Sequence, residues 1–253
     1  MSLFDLTGKV AVVTGSTRGI GKAIAEQMAA QGARVVVSSR RADACEAVAG
    51  EINARFPGQA VPIAANISAK GDLERLIQET RRTLGPIDIL VCNAASNPYY
   101  GPQAGISDDA FRKVLDNNIL SNHWLIQLAA EDMIARRDGA IVIISSVAGL
   151  RGSTTLGAYG ISKAADMQLA RNLAHELGPH NVRVNCVAPG LVRTDFARAL
   201  WDTPEDQPHE YAKTPLRRIG EPDDIAGAVI YLSSRAGAWT TGQTLVVDGG
   251  WTI

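Results

Sequence analysis

Val10-Ala11-Val12-Val13-Thr14-Gly15-Ser16-Thr17-Arg18-Gly19-Ile20-Gly21 is the stretch that decides how the rest of the chain is read. A continuous apolar run opens it, and a glycine-rich loop follows without a break. Such a run reads as a strand buried on both faces. A helical pattern begins just behind the loop, at about 22–31. Glycine lets the backbone turn sharply and approach a bound group closely. The free N–H groups and dipole of a helix start favour negative charge, a phosphate above all. The spacing is Gly-x-x-x-Gly-x-Gly rather than the common Gly-x-Gly-x-x-Gly fingerprint. Taken alone, the glycines are equally a tight turn. Their place between a buried strand and a helix favours a dinucleotide-phosphate cradle.

Working outward, six more apolar runs follow: Arg34–Ser38, Ala60–Ala64, Ile87–Val91, Ala140–Ile144, Val182–Val187 and Gln243–Val247. Between them lie helical patterns at about 41–55, 69–83, 108–135, 159–178 and 222–234. Strands alternating with helices predict βαβ units, hence a parallel sheet with helices on both faces. No composition break, linker or repeat divides the 253 residues, so they read as one α/β domain. The least regular segment, about 190–222, contains Pro204, Pro208 and Pro215. An irregular segment of that length predicts a lid or binding loop.

Composition excludes several function classes. The net charge of −1 and the lack of a Lys/Arg block give no footprint for nucleic-acid binding. No stretch approaches the roughly 20 apolar residues of a membrane span, and Met1–Lys9 has no signal-peptide pattern. Cys45, Cys92 and Cys186 are odd in number and scattered, which predicts free thiols and a cytoplasmic setting. His123, His175, His180 and His209 show no ligand spacing, so no metal is expected.

At the end of the second run, Ser38-Ser39-Arg40-Arg41 stands where a cofactor with a free ribose 2′-hydroxyl usually meets a carboxylate. The first acid is Asp43. A guanidinium can clamp a 2′-phosphate and cannot accept from a hydroxyl. NADP(H) is therefore preferred, with NAD(H) the second option; a solvated helix start is the plain alternative. Tyr159-Gly160-Ile161-Ser162-Lys163 puts a phenol and an ammonium four apart on one helix face. A neighbouring ammonium favours the phenolate, and a phenol so tuned can exchange a proton with a carbonyl or alcohol oxygen. On an arbitrary helix this pair is a surface pair. Ser145-Ser146 ends the fifth run, where ligands collect in open parallel sheets; strand-end serines also form turns. Asn118 falls on the apolar stripe of Phe111, Val114, Leu115, Leu125, Leu128 and Met133. It is either satisfied locally or holds a water or ammonium in a proton path.

Together these residues resemble the short-chain dehydrogenase/reductase (SDR) family over essentially the whole chain. The resemblance rests on Thr14-Gly15-x-x-x-Gly19-x-Gly21, Asn93-Ala94, Asn118, Ser146, Tyr159-x-x-x-Lys163, Arg183-Val184-Asn185, Pro189-Gly190, Thr241-Gly242 and Asp248-Gly249-Gly250. It implies a doubly wound, seven-stranded Rossmann sheet and a catalytic tetrad of Asn118, Ser146, Tyr159 and Lys163. The spacing of Ser146 to Tyr159 selects it over Ser145. Tyr159 would be the acid/base, Ser146 would steady the substrate oxygen, and Asn118 would position a relay water. Lys163 would lower the tyrosine pKa and bond the nicotinamide ribose. The cofactor set would be Gly15, Ser16, Thr17, Arg18, Gly19, Ile20, Gly21, Ser39, Arg40, Asn66, Ile67, Asn93, Ala94, Ala95, Tyr159, Lys163, Pro189, Gly190, Val192 and Thr194. Three positions depart from the pattern: Ala95 replaces a glycine, Asn66-Ile67 replaces Asp-Val, and Asn117 stands where an apolar residue is usual.

The reading that follows is an NADP(H)-dependent carbonyl reductase or alcohol dehydrogenase acting on a small molecule. Asn97, Tyr99, Phe196, Leu200, Trp201 and Tyr211 are candidates for an apolar substrate wall beside Ser146 and Tyr159; the alternative is packing. A 3-oxoacyl-thioester reductase is the second enzyme reading, with Arg136 and Arg137 as basic residues for a carrier protein. A non-catalytic NADP-binding sensor is the competing class. The family resemblance implies a homotetramer with the helices near 108–135 and 159–178 at one interface.

Overall fold

Along each buried run the side chains alternate between two apolar layers, as the period of a strand requires. In β1 (Val10–Thr14), Ala11 and Val13 enter one layer and Val12 the other. The computed structural model describes residues 2–202 and 214–253. The sheet has seven strands in the order β3 (Ala60–Pro62), β2 (Arg34–Ser38), β1, β4 (Ile89–Cys92), β5 (Gly139–Ile144), β6 (Val182–Pro189) and β7 (Thr244–Val247). Every neighbouring pair is parallel.

Helices α1 (Gly19–Ala30), α2 (Ala42–Arg55) and α7 (Pro222–Ser233) cover the face of Val13, Val37 and Val91. Helices α3 (Lys70–Thr83), α5 (Ser121–Arg136) and α6 (Gly157–Leu177) cover the face of Val12, Val36 and Leu90. Each fully buried Val, Leu or Ile in these layers contributes about 1.5–3 kcal/mol. The result is the parallel sheet with helices on both faces that the alternation predicted, in the doubly wound Rossmann form that the family resemblance implied.

Several element ends shift by one to three residues from the sequence reading, and two differences bear on the sheet edge and the site. Strand β3 stops at Pro62, at the sheet edge where a residue without an N–H is tolerated. The single helix expected over 108–135 is α4 (Asp108–Leu115), a π-helical turn at Asp116–Leu120, and then α5. In the sheet, β1 lies between β2 and β4, so the chain reverses its direction of winding there. That switch point opens a crevice beyond the carboxyl ends of β1 and β4.

Candidate active site

The loop after β1 is built to lie close to other backbone. Gly15 has φ +65°, a left-handed conformation that favours glycine. A Cβ on Gly21 would sit 2.3 Å from the Gly15 carbonyl oxygen and 2.5 Å from Asn93 Nδ2. Thr14 Oγ1 accepts from the N–H groups of Asn93 and Ala94, both at 3.1 Å. Asn93 Nδ2 donates back to the Thr14 carbonyl at 2.8 Å. These bonds stitch the loops after β1 and β4 across the switch point. Ser16 is fully buried; its hydroxyl donates to the Val13 carbonyl (2.7 Å) and accepts from the Ser38 N–H (2.9 Å). Its side chain therefore serves the fold. Arg18 caps α1 without a side-chain acceptor for the first-turn N–H groups. This bare helix start behind a loop with no room for a Cβ at Gly21 fits a pyrophosphate.

At the end of β2, the Ser39 N–H donates to Cys45 Sγ at 3.2 Å and its carbonyl accepts from Ala65 at 2.9 Å. Arg41 pairs with Asp43 through its Nε at 3.1 Å and again through Nη2. Arg40 is exposed. Arg18 lies 3.5 Å from Asp195, both on the surface. Asn66 accepts from the Ser68 N–H at 3.2 Å, and its own N–H donates to Asp72 at 2.8 Å. Asn117, at the unusual polar position, bridges two loops. Its oxygen accepts from the Ser68 hydroxyl (2.7 Å), and its nitrogen donates to Ser96 Oγ (3.0 Å).

Ser145 and Ser146 separate cleanly. The buried Ser145 hydroxyl donates to the Lys163 carbonyl at 2.7 Å, tying β5 to α6. Ser146 begins a 3₁₀ turn (Val147–Gly149); its hydroxyl accepts from the Ala148 N–H at 3.1 Å and acts on the Tyr159 phenol electrostatically, favouring its ionised form. Lys163 is 2% exposed; its Nζ lies 5.6 Å from the centre of the Tyr159 ring. It donates to the Ile144 carbonyl at 2.8 Å and to Asp166 at 3.0 Å. An ammonium has three protons, so one is left for a ligand. Asn118 sits in the π-helical turn, fully buried. Its oxygen accepts from the Ser96 N–H (2.8 Å), and its nitrogen donates to the Ser96 carbonyl (3.1 Å) and Ser162 Oγ (3.0 Å). Ser162 in turn donates to the Tyr159 carbonyl at 2.7 Å. Asn118 thus braces the first turn of the helix that carries Tyr159.

The charges around the phenol differ from the simple expectation of a lowered pKa. Burial pushes Tyr159 above the ordinary tyrosine value; Lys163 pulls it down, and Asp166 pushes it up again. Burial also pulls the Lys163 ammonium down, but the attraction of Asp166 and Tyr159 outweighs this and the net direction is up.

The loop after β6 closes the other side. A Cβ on Gly190 would come within 2.8 Å of the Asp248 backbone. Val192 is buried and pairs with Gly220. Thr194 Cγ2 lies 3.1 Å from where a Gly19 Cβ would be, so this loop folds back over the glycine loop. The Phe196 ring stands 5.9 Å from the Tyr159 ring, and Phe196 is 53% exposed. Trp201 turns back, its Nε1 donating to the Thr194 carbonyl at 3.1 Å, and Leu200 ends the 3₁₀ turn Asp195–Leu200. Tyr99 donates its hydroxyl to the Pro102 carbonyl at 3.0 Å and packs on Gly101 and Gly105. Asn97 is half-buried in the same loop. Tyr211 lies outside the described residues.

Two residues that the sequence reading missed touch this group. Asp166 is fully buried against Lys163, and Asn122 Nδ2 donates to Asp166 at 3.1 Å and to the Asn118 carbonyl at 2.6 Å. The available signal was an acid on the buried stripe of α6, among Ser162, Lys163, Met167 and Ala170. Among the described residues no three His, Cys, Asp or Glu side chains converge to hold a metal ion. No described helix is long and apolar enough to cross a membrane.

Residues 15–252 match a family model described as enoyl-(acyl carrier protein) reductase. Dehydrogenase/reductase SDR family member 4 of Bos taurus is 40% identical over 248 residues, 97% of this chain and 88% of that protein. The solved structure of a 7α-hydroxysteroid dehydrogenase, complexed with NADH and 7-oxo glycochenodeoxycholic acid, is 39% identical with a TM-score of 0.93. The match covers 98% of this chain and 95% of that one. A gluconate 5-dehydrogenase from Burkholderia cenocepacia J2315, in complex with NADP and tartrate, is 31% identical with a TM-score of 0.93, covering 98% and 97%.

Proposed function

The chain belongs to the short-chain dehydrogenase/reductase family, and from that premise we propose that it interconverts a small carbonyl compound and its secondary alcohol with NADP(H), Tyr159 acting as general acid and base. The observation that carries this reading is the meeting of Ser146, Tyr159 and Lys163: a half-buried phenol, a hydroxyl that favours its ionised form and an ammonium 5.6 Å from its ring. When bound, the nicotinamide supplies or takes the hydride. The glycine loop would hold the pyrophosphate, with Asn93, Ala94, Pro189, Gly190 and Thr194 lining the remainder. In the reductive direction Tyr159 Oη gives its proton to the carbonyl oxygen. Ser146 Oγ donates to that oxygen as charge develops on it. The remaining Lys163 N–H is free for a ribose hydroxyl, and Phe196 offers an apolar wall beside the phenol.

Arg40 supports NADP(H) over NAD(H). It is exposed at the end of β2, while Asp43, the nearest following acid, is occupied by Arg41. One similar solved structure is complexed with NADH and another with NADP, so the preference rests on this residue. The acyl-thioester reading keeps Arg136 and Arg137 exposed, though both are also tied to the fold. Arg136 donates to the Ile87 carbonyl (2.8 Å) and Asp88 (3.0 Å), and Arg137 to the Pro179 carbonyl (2.9 Å). The assembled tetrad counts against a non-catalytic sensor. Exposed Leu120 and Ile161, on the π-helical turn and α6, support a homotetramer joined across these elements. Three buried free cysteines support a reducing, cytoplasmic setting.

The test is cofactor oxidation by the purified protein. NADPH and NADH are supplied in parallel with ketones, keto sugars, oxo-steroids and 3-oxoacyl thioesters. We expect turnover with NADPH and a ketone, reduced at least a hundredfold in Tyr159→Phe, in line with the roughly 10²–10⁴-fold of a positioned acid/base. Unchanged turnover in Tyr159→Phe would defeat the assignment.

A further inference from the structure

Asn117 lies in the π-helical turn between α4 and α5 and is only 6% exposed. An amide out of reach of water is costly unless its oxygen and nitrogen both find partners. The partners of Asn117 come from two loops remote in sequence. Its Oδ1 accepts from Ser68 Oγ at 2.7 Å, in the loop after β3, and its Nδ2 donates to Ser96 Oγ at 3.0 Å, in the loop after β4. In the sheet, β2 and β1 lie between β3 and β4. Neighbouring strands stand about 4.8 Å apart, so the two loops set out roughly 14 Å from each other. Among the described residues no hydrogen bond runs directly from one loop to the other; they are joined through Asn117. The turn that carries it is itself pinned. Ser121 Oγ donates to the Asn117 carbonyl at 2.6 Å, and the adjacent Asn118 holds the Ser96 backbone at its N–H (2.8 Å) and its carbonyl (3.1 Å).

We propose that Asn117 is a positioning residue for the cofactor: its amide clasps the loops after β3 and β4 and sets the cleft between them before a dinucleotide enters. The inference rests on the cofactor reading, in which Asn66 and Ile67 stand on one loop and Asn93, Ala94 and Ala95 on the other. Ordering loops on binding costs affinity, and order present beforehand removes that cost. Two consequences separate a clasp from mere packing. A clasp needs both ends: once either bond is cut the loops are no longer joined, so a second cut adds little. It also acts on the part of the cofactor that NADP(H) and NAD(H) share, so both lose affinity in the same ratio, whereas the proposed Arg40 contact acts on the 2′-phosphate. Chemistry at saturating cofactor is spared, because Asn118 keeps its own bonds to the Ser96 backbone and to Ser162.

The experiment titrates NADPH and NADH by fluorescence into the full-length wild type, Ser68→Ala, Asn117→Val and the double variant, with kcat at saturating cofactor and Tm measured alongside. Each single variant should raise Kd for both cofactors about three- to tenfold, the range of one lost hydrogen bond, with kcat held within about twofold. The double variant should bind no more than about twofold worse than Asn117→Val alone. A second cycle, Ser68→Ala with Ser96→Ala, cuts the same two bonds from their far ends and should show the same non-additivity, so the test stands even where Asn117→Val does not fold. An unchanged Kd in the single variants overturns the proposal, whatever happens to Tm. So do losses that multiply in the double variants, a loss confined to NADPH, and a fall in kcat with Kd unmoved. If the wild type binds neither cofactor, the cofactor reading itself fails. If it binds and the losses multiply, the inference about Asn117 fails alone.

Discussion

In the proposed reaction the phenol of Tyr159 gives and takes a proton, and the two charges nearest it pull in opposite directions. Its partners could be named from the sequence through the family resemblance, whose order and spacing put Ser146 before Tyr159 and Lys163 one turn after it. Asp166 was not, since an acid three residues from a lysine on a helix usually reads as a surface pair. Burial alone reveals its part. Arg40 shows the opposite case: its residue type and place were readable at once, and the structure adds that Arg41 is held by Asp43 while Arg40 is exposed. Arg40→Asp should weaken NADPH binding by about 1.5–3 kcal/mol, roughly ten- to a hundredfold in Kd. NADH binding should change far less. Fluorescence titration of both cofactors checks this, and equal weakening would remove Arg40 from the 2′-phosphate.

Among the elements, the break between α4 and α5 was the largest surprise. The apolar stripe runs evenly through 108–135, so period alone predicts one helix. The π-helical turn at Asp116–Leu120 instead turns Asn117 and Asn118 inward to separate tasks. Asn117 ties the loops after β3 and β4, and Asn118 braces α6. An extra residue in a turn, often found at functional sites, leaves no mark in the hydrophobic pattern. The loop after β6 was equally opaque, because its path depends on contacts remote in sequence. Gly190 is one: a methyl there would press on the Asp248 backbone at 2.8 Å. Gly190→Ala should cost about 1–3 kcal/mol. Thermal unfolding should show Tm lowered by roughly 2–4 °C per kcal/mol. An unchanged Tm would show that this approach does not need glycine.

At the scale of the whole molecule, the sheet was the most legible part. Seven apolar runs separated by helical patterns leave few alternatives to a parallel sheet with helices on both faces, and the strand order puts the switch point between β1 and β4. The fold thereby fixes where a dinucleotide would lie: over the stitched loops after β1 and β4, with Ser146 and Tyr159 next along at the ends of β5 and the start of α6. The substrate is less legible. Its wall is drawn from Phe196 and its neighbours, whose exposure follows from tertiary packing and not from pattern. The central claim is that hydride passes between nicotinamide and a carbonyl carbon while Tyr159 handles the proton. The most direct test uses NADPH deuterated at the transferable position of the nicotinamide with the best ketone of the panel, the alcohol being analysed by mass spectrometry. The account predicts one deuterium on the former carbonyl carbon with the wild-type protein and almost no labelled alcohol with Tyr159→Phe. Alcohol formed without deuterium at that carbon, or labelled equally fast by Tyr159→Phe, would contradict it.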